Sequence, residues 1–270
     1  MTPAPRLFDA HNHRHDPRLA PHEPAIACTL NKIGHAGCVV NGTREDDWAS
    51  VAAWAAAHPE ARPSFGLHPW YVRARSPRWL EALRVRLEEA GPRAGVGEIG
   101  LDTWIADHDL DEQRQVLLAQ LGLAAAANRA SSVHCIQAWG HLMDTLRTAP
   151  LPERGFLLHA YGGPAEMVAP FAKLGAYFSF SPSHLAERKH ARREVFRQIP
   201  AERLLVETDA PDMSPPDEYN RHPLPPDDGG RVPNHPANLQ VAYEGLARLR
   251  EISIEALATR VEENFHRLFG

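Results

Sequence analysis

Cysteine is scarce in this 270-residue chain, which has only Cys28, Cys38 and Cys135. An odd number without close spacing excludes a disulfide framework and a zinc–thiolate cluster. Long apolar runs are also missing. Nothing approaches the roughly 20 residues of a membrane helix, so no membrane association is expected. The residues before Leu7 are polar and proline-rich and show no signal peptide. Together with the few thiols, this predicts a cytoplasmic protein with reduced cysteines. No Lys/Arg-rich run occurs, and 29 basic against 34 acidic residues leave a formal charge of −5, with a pI near 6.3. That balance argues against tight nonspecific binding to a nucleic-acid backbone. A phosphate substrate stays open, because bound cations can supply the positive charge.

What is present is a core-forming composition, 43% hydrophobic and 23% charged, as in soluble globular proteins. Short apolar runs predict strands at Leu7–His13, Cys38–Asn41, Arg62–His68, Gly95–Leu101, Ser132–Ile136, Phe156–Tyr161, Ala176–Ser181 and Leu204–Asp209. Several are continuously apolar, as in parallel strands covered on both faces. Helical patterns begin at Glu45–Ala57, where Trp48, Val51 and Trp54 share one stripe. They continue at Arg78–Glu89, Asp111–Asn128, Ala138–Thr148, Ala165–Leu174 and His184–Gln198, and close with His235–Arg250 and Ile254–Leu268. Strand alternating with helix predicts an α/β protein, and eight such strands predict a single (β/α)8 TIM barrel over residues 1–270. The alternative, a doubly wound open sheet, wants a Gly-rich loop after the first strand. Arg14-His15-Asp16-Pro17 stands there instead. No internal repeat is found. The Pro-rich segment 211–236 follows the last strand and is expected to lie over the active-site face.

Sixteen histidines are many. His15, His22, His58, His190 and His222 sit among charged and loop residues and are expected to be solvated. His11 and His13 differ, because one residue between them lets both rings face one way on a strand. That spacing alone fits a metal-ligand pair or two ordinary polar residues at a strand end. Barrel catalysis uses the carboxyl ends of strands. There the chain also presents His68, Glu98, His134, His159 and Asp209, far apart in sequence but convergent in a closed barrel. Four of these imidazoles, those of His11, His13, His134 and His159, with the two carboxylates suit two divalent cations with nitrogen and oxygen ligands. Glu98, from the middle of the set, is the best candidate to bridge them. Such a pair of cations suits hydrolysis.

The ordered set Asp9-Ala10-His11-Asn12-His13, Gly66-Leu67-His68-Pro69-Trp70, Gly97-Glu98-Ile99-Gly100-Leu101-Asp102, Val133-His134, Leu158-His159-Ala160-Tyr161 and Glu207-Thr208-Asp209-Ala210-Pro211 resembles the TatD family of metal-dependent hydrolases. Asn234-His235-Pro236 and Glu263-Asn264-Phe265-His266-Arg267-Leu268-Phe269 resemble its C-terminal signature, so the likeness runs from Leu7 to Phe269. It implies an amidohydrolase-type barrel whose described members are mostly Mg²⁺- or Zn²⁺-dependent nucleases. Carried over by position, it implies that His11, His13 and Asp209 hold one metal and that His134 and His159 hold a second, with Glu98 between. His68 would line the pocket and meet a phosphate oxygen or the leaving group. Asp209 would also orient or deprotonate the attacking water, and Glu207 would support the site from below.

Three departures from the family pattern bear on the substrate. The family often has Arg two residues after the strand-five His, where Ile136 stands here. A guanidinium fork suits phosphate, so its loss weakens a phosphate contact. The family's His-Cys-Phe-Ser/Thr-Gly reads His159-Ala160-Tyr161-Gly162-Gly163. The Arg of the final loop's Arg-Asn-x-Pro is displaced to Arg231. The expected activity is a phosphodiesterase or deoxyribonuclease acting on single-stranded nucleic-acid ends or small phosphodiesters. It would use two divalent ions (Mg²⁺, Zn²⁺ or Mn²⁺) and need no obligate protein partner. Trp70, Trp104, Tyr161 and Tyr219 are candidate stacking surfaces. The alternative is a metal-dependent hydrolase of amide, ester or lactone bonds.

Overall fold

The strands form one parallel sheet in the order β1 to β8. A computed structural model describes residues 5–270; most of the stretch read for a signal peptide lies outside them. The strands are β1 (Leu7–Asn12), β2 (His35–Asn41), β3 (Ala61–Phe65), β4 (Gly95–Asp102), β5 (Ser131–Ile136), β6 (Phe156–Leu158), β7 (Ala176–Phe180) and β8 (Leu204–Val206). Every residue of β1 and β4 is buried, so neither strand has a solvent face. The ends of the sheet meet through main-chain bonds. Asp209 N donates to His11 O at 2.9 Å and His13 N donates to Ala210 O at 2.7 Å. Asp9 reinforces this seam by accepting from Thr208 N (3.0 Å) and Thr208 Oγ1 (2.6 Å). The sheet is thus a (β/α)8 TIM barrel.

The covering helices are α1 (Glu23–Lys32), α2 (Trp48–Ala57), α3 (Trp79–Glu89), α4 (Leu110–Ala126), α5 (Trp139–Thr148), α6 (Val168–Lys173), α7 (His190–Val195), α8 (Leu239–Arg250) and α9 (Ile254–Phe269). Helix α9 begins where Ser253 Oγ accepts from Ala256 N, satisfying one of the unpaired amides of the first turn. It buries Leu257, Val261, Phe265 and Leu268 along one stripe. Sequence periodicity marks no helix between β1 and β2, yet α1 is there. Only Ile26 and Leu30 of it are buried, too thin a stripe to show as a pattern. The expected helix His184–Gln198 is broken. Short 3-10 turns cover Pro182–Leu185 and Glu187–Lys189, Ala186 is extended between them, and α7 is brief. The break lets the His184 ring turn inward, where its Nε2 meets Tyr161 O at 3.1 Å.

Several strands stop short of the expected ends: β3 before His68, β6 before His159 and β8 before Asp209. His68, His159 and Asp209 therefore sit on the first turns beyond the strands, whereas His11, Glu98 and His134 lie within β1, β4 and β5. Asp209 adopts φ 53° and Ala160 φ 42°, left-handed conformations that short or polar side chains tolerate best. The segment 211–236 covers the mouth only at its start, where Asp212 and Met213 line the cavity. Its remainder is pinned to the barrel's side. Asn234 Nδ2 donates to Thr208 O at 2.9 Å and Arg221 pairs with Glu244. No helix among the described residues is long and apolar enough to cross a membrane.

Candidate metal centre

Glu98 occupies the middle of the barrel because β4 is glycine-rich around it. A Cβ at Gly97 would meet Ser132, Ser64 and Asn41 within 2.9 Å, and Gly100 (φ 151°) lies against the His134 main chain. Larger residues at either position would push β4 away from its neighbours. Above Glu98 opens a cavity of about 760 Å³ that reaches His13, His68, His134, His159 and Asp209.

The two oxygens of Glu98 face different partners. Oε2 lies 3.5 Å from His11 Nε2 and 3.4 Å from His13 Nε2. Oε1 lies 2.9 Å from both His134 Nδ1 and His159 Nε2, and 3.3 Å from His68 Nε2. Asp209 Oδ1 completes the first group, 3.5 Å from His11 and 3.3 Å from His13. The structure thus brings together all seven residues named from sequence. The donors of His11, His13 and Asp209, of His11, Glu98 and His159, and of His68, Glu98 and His134 each lie within 4.8 Å of one another.

The far nitrogens of the imidazoles decide which atoms face the centre. His13 Nδ1 donates to the Asn41 carbonyl at 2.8 Å. His11 Nδ1 lies 2.6 Å from Ser132 Oγ and 3.1 Å from Asn41 Nδ2. His134 Nε2 donates to Asp102 at 2.9 Å, and His159 Nδ1 faces Glu207 at 3.5 Å. For His13, His134 and His159 an acceptor oxygen faces the outer nitrogen, which carries the proton when the ring is neutral, so the inner nitrogen offers a lone pair. His68 is the exception. Its Nδ1 accepts from Trp70 N at 3.2 Å, which leaves the proton on Nε2, facing Glu98. Nitrogen and carboxylate donors in this number fit a borderline or hard divalent cation.

The ionisation states agree. Burial opposes the charge on Glu98, but the surrounding imidazoles, His68 and His159 foremost, hold its carboxyl well below the usual range. Burial likewise opposes the His13 and His159 imidazoliums, yet Asp209 and Glu98 lift His13 well above its usual value, and Glu98 and Glu207 do so for His159. Against the same burial, Asp102 and Glu98 raise His134. His13, His134 and His159 thus hold protons against the carboxylates, whereas burial lowers His11 and His68.

Sequence reasoning passed over the groups behind the centre: Asp102, Ser132 and Asn41. Asp102 ends the Gly97–Asp102 motif, and its carboxylate is the one signal that could have revealed it. Two buried glutamines of α4 were also passed over. Gln113 Oε1 accepts from Asp102 N and its Nε2 donates to Asp102 O (2.8 and 2.9 Å). Gln120, seven residues on, clamps the Leu67 backbone in the same way (2.7 and 3.2 Å). They fix the ends of β3 and β4 from which His68 and Asp102 project.

Other expectations divide. Trp70 and Trp104 are exposed at the mouth. Tyr161 is fully buried, its hydroxyl donating to Pro164 O at 2.8 Å, and Tyr219 packs on the core, so neither offers a stacking face. Among the histidines read as solvated, only His190 is in the exposed class. His15 is turned into the cavity wall, 3.9 Å from Asp47, and His58 stacks on Trp54. The His58 ring covers the indole face while its Nδ1 donates to Trp54 O at 2.8 Å. Ile136 lines the cavity, whereas Arg231 pairs with Asp227 on the exposed loop.

Residues 8–270 match the family model for TatD related DNase. The chain is 28% identical to "Uncharacterized metal-dependent hydrolase YjjV" of Escherichia coli K12, over 98% of each chain. It is also 28% identical to "3'-5' ssDNA/RNA exonuclease TatD" of Enterobacter lignolyticus, over 98% of this chain and 99% of that one. The crystal structure of the E. coli YjjV protein superposes with a TM-score of 0.88 at 27% identity, covering 98% of both chains. With the barrel and its His/Glu/Asp cluster, these likenesses make the chain a member of the TatD-related DNase family and a metal-dependent hydrolase.

Proposed function

We propose that this hydrolase is a two-cation phosphodiesterase that acts on the ends of single-stranded nucleic acid. The carrying observation is Glu98, whose Oε2 faces His11 and His13 while Oε1 faces His134 and His159. One cation would take His11, His13, Glu98 and Asp209; the other would take Glu98, His134 and His159. The relative named as an ssDNA/RNA exonuclease supports the substrate class. The three free thiols support a cytoplasmic location.

Divalent ions bound there would supply Lewis acidity, making a water nucleophilic at neutral pH and drawing charge from the phosphoryl oxygens. Asp209 is ionised, since His13 and its neighbours outweigh burial to hold its carboxyl low. It accepts a hydrogen bond from the attacking water and then its proton. Burial pulls His68 down to about 4, so the ring is neutral at pH 7. Its Nε2–H donates to a phosphoryl oxygen and stabilises charge there. Trp70 and Trp104 take the faces of unpaired bases at the mouth, which a stiff duplex reaches less easily.

The test is to chelate the protein, restore Mg²⁺, Mn²⁺ or Zn²⁺ singly, and offer a single-stranded oligonucleotide beside ester, amide and lactone panels. Metal-dependent oligonucleotide shortening is expected. Turnover of the ester, amide or lactone panel alone would replace this reading with the small-molecule one.

A further inference from the structure

The cavity wall is electrically uneven. On the β1, β2 and β8 side stand Asp16, Asp46, Asp47 and Asp212. Arg18 is there too, but its guanidinium is consumed by Asp16 and Asp212 at 2.9–3.0 Å. Arg44 rests on the Tyr71 ring. On the opposite side, the turn after β7 sends Lys189 and Arg192 into the cavity. Lys189 Nζ donates to Ser183 Oγ at 2.9 Å and meets no carboxylate among the described residues. The nearby Glu187 and Glu194 pair with Arg193 and Arg197, and Arg192 has no ion-pair partner among the described residues. Arg192 lies across Gly162, its guanidinium 3.7 Å from where a Cβ would stand. Gly162 occupies the Ser/Thr position of the family pattern.

We propose that Lys189 and Arg192 form the phosphate-binding wall of this enzyme, supplying the cationic contact that Ile136 cannot make. The inference rests on the phosphodiesterase reading and names the side of the mouth over which the phosphate chain runs. Lys189 is half-buried without a counterion, which is costly, and an anion held between it and the exposed Arg192 removes that cost. Burial, with Arg192 and Arg188 alongside, pulls the Lys189 ammonium down to about 8, against the pull of Asp209. The acidic opposite wall repels the same chain, so the charge pattern orients it. A broken helix after β7 is what makes the wall: a continuous helix over His184–Gln198 would not leave Ala186 extended between its two short turns.

The experiment uses the metal-loaded enzyme and a single-stranded oligonucleotide, comparing K189M, R192M, the double variant, K189R and R192K. R188M, at an exposed residue outside the cavity lining, is the control. Each Met variant is expected to raise KM about tenfold with kcat within about threefold, as for loss of one charge-assisted phosphate contact. The dependence of log KM on log salt should flatten by about 0.7 to 1 per lost charge. K189R and R192K should restore most of both, which a merely structural role would not produce. Arg192 is exposed, so R192M keeps the test valid even if K189M misfolds. Unchanged KM and salt slope in R192M and the double variant overturn the wall while leaving the nuclease reading intact. If the wild type shortens no oligonucleotide, the nuclease reading fails, and calorimetric titration with inorganic phosphate then decides the wall. Weaker phosphate binding in the double variant upholds an anion wall; equal binding overturns it.

Discussion

Asp102 holds His134 from behind: its carboxylate meets Nε2 at 2.9 Å while Nδ1, on the ring's other side, faces Glu98 at the same distance. The carboxylate fixes both the ring's orientation and its tautomer. Trp70 Nε1 donates to the same Asp102 oxygen at 2.8 Å, so one acid ties the cavity mouth to the centre. Asp102→Asn should lower metal affinity about 10- to 100-fold, as loss of an outer partner does elsewhere. A metal titration by competition with a chelator checks this; an affinity equal to the wild type's would remove Asp102 from the centre.

Glu98→Gln should lose metal and activity together. An amide has one acceptor oxygen and no charge, so it cannot serve both groups of imidazoles. Turnover should fall by about two to three orders of magnitude, comparable to removing a main electrostatic group from an active site. Metal content by mass spectrometry of the elements, measured beside kcat, tests the link. Full activity would refute the bridging role.

Metal loading should release protons. In the metal-free protein, Asp209, Glu98 and Glu207 keep His13 and His159 protonated above their usual range, and Asp102 and Glu98 do so for His134. Cations compete with those protons, so affinity falls as pH falls below the raised values and levels off above them. Calorimetry in two buffers of different ionisation heat reads the number released. Identical heats in both would mean the rings were already neutral.

Two buried histidines should cost the barrel stability in acid, against the opposite effect of Asp9, whose carboxyl burial pushes up to about 7. Burial pulls His184 and His35 down to about 3, while the same residues in the unfolded chain titrate near 6.5. Between those values each of these histidines binds more protons in the unfolded chain, so its contribution to stability declines as pH falls through that window. Each histidine removes about 1.4 kcal/mol per pH unit. Urea unfolding of the chelated protein at pH 7, 6, 5 and 4, with and without His184→Gln, isolates one of them. A variant with an undiminished slope would show that His184 contributes nothing to it.

Trp104→Ala should raise KM for a single-stranded oligonucleotide by the equivalent of about 1–3 kcal/mol, the worth of one base stacked on an aromatic ring. Hydrolysis of a phosphodiester lacking bases should be unaffected. Equal losses on both substrates would mean that Trp104 shapes the mouth without touching a base.

The sequence by itself determined the alternation of strand and helix, and hence the barrel. Buried parallel strands and amphipathic helices leave periodic marks that require no partner to read. It also made the candidate donors legible, because His11, His13, Glu98, His134, His159 and Asp209 fall on predicted strands or just beyond them. Tertiary structure alone decided which nitrogen of each ring faces inward, since that depends on Asp102, Ser132, Glu207 and the Asn41 carbonyl, which are remote in sequence from most of the rings they hold. It also decided that Tyr161 is core while Trp104 is surface, and that the run His184–Gln198 breaks to turn His184 inward and Lys189 toward the cavity. Helical periodicity reports what one face of a segment buries. It cannot report a ring that leaves the helix to reach a carbonyl across the barrel.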